Sequence, residues 1–249
     1  LKIALLQFAV GCSKGGNLEK ANMMIKTAVH NGAKLVVLPE CFNSPYGTEH
    51  FKNYAESIPN GETSTLISSL AKVLGVHIVA GSIPEVDNDN LFNTCTVWNS
   101  EGKLIAKYRK MHLFDINIPN KMTFRESETL KAGSTLATFD IGKFRFGLGI
   151  CYDLRFGELA KLYRAKDCNV LLYPGAFNMT TGPVHWELLL RSRALDNQCY
   201  VAGVSPAQDT NATYVAYGHT LMVDPWGKKM TELEYNEDIA YAELETKYQ

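Results

Sequence analysis

Hydrophobic positions along the chain follow two periodicities, short apolar runs of strand type and longer segments with helical spacing. Residues 1–8 form the first apolar run, and residues 18–29 then repeat apolar side chains at the spacing of one helix face, starting after Asn17, a predicted cap. Further apolar runs at 33–38 and 76–83 predict two more strands, and a second helix pattern lies between them. This alternation is typical of α/β proteins.

The second half of the chain repeats the order of elements in the first half. Residues 144–150 correspond to the first strand, 170–173 to the second and 200–205 to the third, with helix patterns between them. Each half ends in a hairpin, at 94–106 and at 219–231, with Gly-Lys at the exit of the turn. The repeat predicts two similar half-domains that pack sheet to sheet as a four-layer αββα sandwich.

The segment 109–143 is polar and irregular, which is typical of a long connection that carries function. No linker or low-complexity stretch separates the two halves. We therefore expect a single domain over residues 1–249. The chain stops soon after its last predicted strand, so the segment at its C-terminal end, residues 242–249, is expected to be short.

Composition argues against several classes of function. The chain has 25 Lys+Arg and 26 Asp+Glu, and a net charge of −1 gives no global field for nucleic acid or an anionic membrane. No apolar run reaches the ~20 residues that span a bilayer. The cysteines form no Cys-x-x-Cys pair, and the histidines lack ligand spacing, so we expect no metal. Gly147-x-Gly149 lacks the third glycine of a dinucleotide loop, because Tyr152 stands there, so we expect no cofactor.

The six cysteines also bear on the cellular compartment. In a long chain without a recognisable signal peptide they are typical of free thiols in a reducing environment. We predict a cytoplasmic protein, with the mitochondrion as the alternative.

Cys151 lies where a strand-type run ends and a helix pattern begins. A nucleophile on such a turn is exposed to substrate and has backbone N–H groups beside it. Taken alone, a buried apolar cysteine is the more common finding.

Two further polar residues follow predicted strands. Glu40 comes directly after the run at 33–38, and Lys110 stands in a charged cluster after the hairpin at 94–106. Strand ends on one side of such sheets converge. Thiol, carboxylate and ammonium suffice for amide hydrolysis without a metal, since the ammonium favours thiolate and a buried Glu can both accept and donate a proton.

Three segments together carry a family resemblance. LPECFNSPYG (38–47), YRKMHLFD (108–115) and GLGICYDLRF (147–156) resemble the signature segments of the nitrilase superfamily of carbon–nitrogen hydrolases. The resemblance extends over the whole chain. TFRESETL (123–130) and residues 174–198 are similar to the omega-amidase branch of that superfamily.

The resemblance implies roles for individual residues and a reaction. Glu40 would be the general base, Lys110 the catalytic lysine and Cys151 the nucleophile. The implied reaction is hydrolysis of the terminal amide of α-ketoglutaramate or α-ketosuccinamate through a cysteine thioester. The superfamily's αββα fold agrees with the repeat described above, and its common assembly predicts a homodimer.

Other candidate residues surround this set. The resemblance implies that Glu126 is a second active-site glutamate and that Tyr46 lines the substrate pocket. The backbone N–H of Tyr152 is expected to hold the oxyanion together with Lys110. His185 is an outside candidate for the pocket.

Two charged residues flank the nucleophile, and two interpretations of them stay open. Asp153 or Arg155 would bind a substrate carboxylate, or the two would form a buried ion pair that fixes the turn.

Several alternative functions remain at this point. Another small acid amide, such as deaminated glutathione or an N-carbamoyl amino acid, would use the same three residues, and a true nitrilase fits the longer segments less well. A Cys–His hydrolase would use His112, His185 or His219 instead. An inactive scaffold member would have no chemical need for all three polar residues.

Overall fold

The computed structural model describes residues 1–119 and 122–246. The helices of this part are α1 (Lys14–His30), α2 (Thr48–Tyr54), α3 (Glu62–Leu74), α4 (Gly157–Arg164) and α5 (Gly182–Asn197). The strands of the first half are β1 (Lys2–Gln7), β2 (Leu35–Val37), β3 (His77–Val79), β4 (Ile83–Asp87), β5 (Asn90–Trp98) and β6 (Leu104–Arg109). The remaining strands are β7 (Asp115–Ile118), β8 (Met122–Arg125), β9 (Thr138–Ile141), β10 (Phe144–Leu148), β11 (Val170–Pro174), β12 (Tyr200–Val204), β13 (Leu221–Val223), β14 (Lys229–Glu232) and β15 (Asp238–Glu243).

Two large sheets contain most of the strands. The first has the order β15-β1-β2-β3-β5-β4, with β6 beside β5, and the second has the order β14-β13-β12-β11-β10-β9. In the first sheet β1, β2 and β3 are parallel, and in the second β10, β11 and β12 are parallel. The predicted correspondence between the two halves of the chain is therefore present in the strand pairing.

The main core lies between the two sheets. Ile3 and Leu5 of β1 belong to the same buried cluster as Phe146 and Leu148 of β10. The intervening residues of β1 point to the other side, where Leu6 packs in a second cluster with residues of α1 and α3. Because both faces of these strands are buried, they appear in the sequence as continuous apolar runs. Helices α4 and α5 cover the second sheet, which completes the predicted αββα sandwich.

Some boundaries differ from the prediction. Helix α1 begins at Lys14 with Ser13 as its cap, and the predicted cap Asn17 was wrong, since its side chain instead hydrogen-bonds the backbone of Gly11. The run at 76–83 divides into β3 and β4, because Gly81 adopts a φ of 43° between them.

The polar connection between the halves also contains more structure than its sequence indicated. It includes the hairpin β7–β8 and the strand β9. At the far end of the chain β15 crosses back to pair with β1, and Lys247–Gln249 lie outside the described residues. Within the described part, no helix is long and apolar enough to cross a membrane, and no cluster of His, Cys, Asp and Glu could hold a metal.

Candidate active site

The three residues predicted to act on substrate all follow the ends of strands. Glu40 comes after β2, Lys110 after β6 and Cys151 after β10. Their relative exposures are 1%, 0% and 3%, so the site is shielded from bulk water. Burial on this scale strengthens every electrostatic interaction among them.

The lysine joins two carboxylates. Lys110 Nζ donates to Glu40 Oε1 at 3.1 Å and to Glu126 Oε1 at 2.9 Å. The Cys151 thiol lies close enough to Glu40 that each group shifts the pKa of the other. The structure therefore brings together the thiol, the ammonium and both glutamates that the sequence predicted.

Both oxygens of Glu40 have further donors. Asn93 Nδ2 donates to Oε1 at 2.9 Å, and the backbone N–H of Ala176 donates to Oε2 at 2.7 Å. The backbone next to Ala176 passes close to Cys151: a Cβ added to Gly175 would lie only 3.0 Å from Cys151 Cα. These donors fix the direction in which the Glu40 carboxylate faces.

Glu126 is held in the same way. Tyr46 donates its hydroxyl to Glu126 Oε1 at 2.6 Å, and the backbone N–H of Phe114 donates to Oε2 at 2.8 Å. The ring of Tyr46 stacks on Phe124 with centroids 5.6 Å apart. Tyr46 lines a cavity beside Glu40 and also positions Glu126.

Burial and neighbouring charges shift the pKa values of the buried site residues in opposing directions. Burial alone would lower the pKa of Lys110, but Glu126 and Glu40 outweigh burial and hold that pKa well above its usual range. Burial raises the pKa of Glu40 against the opposing effect of Lys110. Burial and the neighbouring Glu40 raise the pKa of the Cys151 thiol well above its ordinary value. Lys110 lowers the pKa of Cys151 and so favours thiolate, which agrees with the expectation from the sequence, but burial and Glu40 outweigh it and favour the thiol at rest.

The turn that carries Cys151 is braced by Asp153. Cys151 adopts a φ of 48°, a conformation that few non-glycine residues take. The buried Asp153 carboxylate accepts from the backbone N–H of Ile150 and the hydroxyl of Tyr108, both at 2.8 Å, and contacts His112 Nδ1 at 2.7 Å. Asp153 therefore fixes the turn, and its partners do not include Arg155.

Arg155 and His185 form a separate contact. Arg155 NH1 lies 3.2 Å from His185 Nδ1, and the guanidinium lies 4.9 Å from the ring centroid of Phe177. Burial and the charge of Arg155 lower the pKa of His185, so the neutral imidazole accepts this hydrogen bond. In the described part of the chain Arg155 has no carboxylate partner.

Two cavities meet at the active site. A narrow one of about 10 Å³ is lined by Cys151, Tyr152 and Arg155 among others, and a larger one of about 310 Å³ is lined by Glu40 and Tyr46. Ala176 and Tyr214 line both. His185 lines neither of them, so it reaches the site only through Arg155.

Within residues 1–119 and 122–246, none of the three candidate histidines is bonded to Cys151. His112 contacts Asp153, His185 contacts Arg155, and His219 stacks on Tyr217 with centroids 4.1 Å apart. The arrangement does not support a Cys–His hydrolase.

A family model described as carbon-nitrogen hydrolase matches residues 2–248. The chain belongs to the carbon-nitrogen hydrolase family. Curated relatives of this hydrolase include omega-amidase NIT2-B of Xenopus laevis, which is 52% identical over 247 residues. Omega-amidase NIT2 of Homo sapiens is 52% identical over 246 residues. In both cases the match covers 99% of this chain and 89% of the relative.

Solved structures of the family agree with the fold. Saccharomyces cerevisiae Nit3, described as a member of branch 10 of the nitrilase superfamily, has a TM-score of 0.92 and 46% identity and covers 100% of this chain and 91% of its own. An amidase from Nesterenkonia sp. AN1 has a TM-score of 0.86 at 21% identity, over 100% of this chain and 94% of its own. The predicted membership of the nitrilase superfamily is confirmed.

Three groups of this hydrolase's site were missed by the sequence analysis. Asn93 lies inside β5, the backbone of Ala176 follows β11, and Tyr214 lies in the connection between β12 and β13. Tyr214 donates its hydroxyl to the carbonyl of Ala176 and packs against Tyr46, with ring centroids 4.5 Å apart. No periodicity or motif marks these three positions.

Proposed function

We propose that this carbon–nitrogen hydrolase is an omega-amidase that releases ammonia from the terminal amide of α-ketoglutaramate or α-ketosuccinamate. The observation that carries the proposal is the buried contact of Cys151, Glu40 and Lys110, which supplies a nucleophile, a proton acceptor and a fixed cation. The substrate class is supported by the omega-amidase relatives, which match 99% of this chain.

Acylation begins with attack of Cys151 Sγ on the amide carbonyl carbon. The thiol proton passes to the neighbouring carboxylate of Glu40, whose charge acts on Cys151. The negative charge that develops on the carbonyl oxygen is stabilised by Lys110 Nζ and by the backbone N–H of Tyr152. The N–H of Tyr152 suits this role because it lies in the first turn of the short 3₁₀ helix Cys151–Arg155, where amides lack intrahelical partners.

Collapse of the tetrahedral intermediate breaks the bond between carbon and nitrogen. Glu40 returns the proton to the nitrogen, ammonia leaves, and a thioester remains on Cys151. Glu40 then takes a proton from a water molecule that attacks the thioester, and the dicarboxylate is released with regeneration of the thiol. Glu126 keeps Lys110 in place throughout, at 2.9 Å.

The carboxylate end of the substrate is proposed to bind Arg155. This side chain is half-buried, lines the cavity at Cys151, and has no carboxylate partner among the described residues. A guanidinium presents paired N–H donors that match a carboxylate. His185 holds the guanidinium from behind at 3.2 Å, which is its proposed role.

We also propose that the protein is a homodimer and that it is cytoplasmic. On helix α5 the side chains of Val184, Leu188 and Leu195 have relative exposures of 60%, 64% and 58%. Trp226, which lies near the same helix, is 75% exposed. An apolar face of this kind is typical of an interaction surface, and a second copy would cover it. The proposed cytoplasmic location is supported only by the six free cysteines, five of which are buried.

Ammonia release from α-ketoglutaramate tests the proposed reaction, with glutamine and an aliphatic nitrile for comparison. We expect rapid release that prefers the keto-amide and that is abolished in Cys151→Ala. Cys168→Ala is the matched control, because Cys168 is also a buried free thiol but lines neither cavity at the site. Full activity of Cys151→Ala would refute the mechanism, and release from a different amide alone would refute the substrate.

A further inference from the structure

Tyr214 lies where the cavities of the active site meet. It belongs to the connection between β12 and β13, and it lines the cavity at Cys151, the cavity at Glu40 and a third cavity of about 430 Å³ that is lined by Arg125 among others. Burial raises the pKa of its hydroxyl well above the usual value, and Cys151 and Glu40 act in the same direction. The side chain is therefore a neutral phenol, which donates a hydrogen bond through its hydroxyl and packs through its ring.

The hydroxyl of Tyr214 contacts the backbone that holds Glu40. It donates to the carbonyl of Ala176, and the backbone N–H of Ala176 donates to Glu40 Oε2 at 2.7 Å. Ala176 lies just beyond the end of β11, next to Gly175, whose N–H donates to the carbonyl of Val204 at 2.9 Å. The contact from Tyr214 therefore fixes the position of the N–H that orients the Glu40 carboxylate.

The ring of Tyr214 packs against the residue that holds Glu126. Its centroid lies 4.5 Å from that of the Tyr46 ring, with an angle of 49° between the two planes. Tyr46 donates its hydroxyl to Glu126 Oε1 at 2.6 Å, and the same oxygen accepts from Lys110 Nζ at 2.9 Å. Without the ring of Tyr214, the Tyr46 side chain would gain space to turn, and its hydroxyl would be held less firmly on Glu126.

We infer that Tyr214 is a positioning residue for both active-site glutamates. Its hydroxyl sets the direction of Glu40 through the backbone beyond β11. Its ring sets the position of Glu126, and with it Lys110, through Tyr46. The phenol exchanges no proton during the reaction. The inference rests on the proposed mechanism, in which Glu40 accepts the thiol proton and Lys110 stabilises the oxyanion.

Tyr214→Phe removes the hydroxyl and keeps the ring. We expect kcat/KM for ammonia release from α-ketoglutaramate to fall by about 2- to 12-fold, the range of one neutral hydrogen bond. A misplaced N–H donor stabilises the charged form of Glu40 less, so the pKa of that carboxyl rises and the acidic limb of the pH profile moves to higher pH.

Tyr200→Phe is the matched control for this change. The Tyr200 hydroxyl also donates to a backbone carbonyl, that of Glu245 at 3.0 Å. Tyr200 lies at the start of β12 and lines none of the three cavities that Tyr214 lines. Its replacement should leave the acidic limb where it is in the wild type.

A double-mutant cycle isolates the contribution of the ring. Tyr214→Leu removes the ring as well as the hydroxyl, and we expect its kcat/KM to be about 2- to 12-fold lower than that of Tyr214→Phe, the range of one aromatic pair. If the ring acts through the Tyr46 hydroxyl, its removal should cost little where that hydroxyl is already absent. We therefore expect the ratio of kcat/KM between Tyr214→Phe and Tyr214→Leu to fall to about one when both also carry Tyr46→Phe.

The outcomes separate the role of Tyr214 from the proposed function. A Tyr214→Phe enzyme that is folded by its thermal unfolding and keeps a wild-type kcat/KM and acidic limb would overturn the hydroxyl link. An equal ratio with and without Tyr46→Phe would overturn the ring link. If the wild type hydrolyses another amide but not α-ketoglutaramate, only the proposed substrate is refuted, and the same variants are compared on that amide. A wild type that hydrolyses no amide would refute the proposed function and the role of Tyr214 with it.

Discussion

Asn93 offers a direct test of how the proton acceptor is positioned. Its side chain is 1% exposed, and its Nδ2 donates to Glu40 Oε1 at 2.9 Å, the oxygen that Lys110 also contacts. The amide holds no substrate atom in the proposed mechanism and acts only through Glu40. Replacement by alanine removes this donor and leaves Lys110 and the Ala176 N–H as the remaining partners of the carboxylate.

The expected effect follows from the strength of that hydrogen bond. A hydrogen bond to a charged group contributes about 1.5–3 kcal/mol, which corresponds to a loss of about 10- to 150-fold in kcat/KM for Asn93→Ala. The donor favours the charged form of Glu40, so its removal raises the pKa of that carboxyl further. The proton acceptor must be ionised before attack, and therefore the acidic limb of the pH profile of kcat/KM moves to higher pH.

The assay is the pH dependence of ammonia release, measured for the wild type, Asn93→Ala and Asn197→Ala. Asn197 is a matched control, because it is also a buried asparagine but donates to the carbonyl of Arg193 in α5. We expect Asn197→Ala to change stability without moving the acidic limb. A folded Asn93→Ala enzyme with a wild-type kcat/KM and an unmoved acidic limb would refute the positioning role.

Three further predictions concern stability, assembly and substrate binding. Burial alone would raise the pKa of Glu85, but Arg109, Thr94 and Lys107 outweigh it and lower the pKa to about 2. Glu85→Gln should thus lose on the order of 2–3 kcal/mol of unfolding free energy at pH 7, measured in denaturant titrations. This difference from the wild type should disappear as the pH falls from about 5 towards 2, because Glu85 itself becomes protonated. Leu188→Asp on the apolar face of α5 should shift the mass measured by light scattering from dimer to monomer, and an unchanged dimer would exclude this face. Arg155→Met should raise KM for α-ketoglutaramate by about 10- to 150-fold and leave KM for a neutral amide such as butyramide little changed. An equal rise in KM for both substrates would contradict carboxylate binding by Arg155.

The sequence predicted those parts of the fold and site in which neighbouring residues carry the signal. Strands such as β1 and β10 are buried on both faces, so their apolar runs are continuous. Cys151 and Glu40 stand at the ends of such runs, and local motifs therefore identify them. Helix α2 was missed, and among its residues only Phe51 is buried, so no apolar periodicity marks it.

Residues placed by long-range pairing gave no such signal. Asn93 lies beside Lys110 because β5 pairs with β6, so that the backbone N–H of Lys110 donates to the Asn93 carbonyl at 2.9 Å. A polar residue within a strand is common at sheet surfaces, and only the strand register shows that this one faces Glu40. His185 presents the opposite case, since its position on α5 suggested the pocket, whereas its imidazole lies behind Arg155.

The charge balance of the buried cluster explains why a thiol at rest is compatible with a nucleophilic cysteine. Before attack the cluster holds the carboxylates of Glu40 and Glu126, the ammonium of Lys110 and a neutral Cys151 thiol. In the proposed mechanism the proton moves to Glu40 during attack, and the negative charge of Glu40 is replaced by one on the oxyanion, which also lies against Lys110. The net charge therefore stays constant while charge shifts by a few ångströms within reach of one ammonium. A resting thiolate would add a second unbalanced negative charge where desolvation is strongest, so deprotonation that is coupled to attack is the lower-energy route in this site.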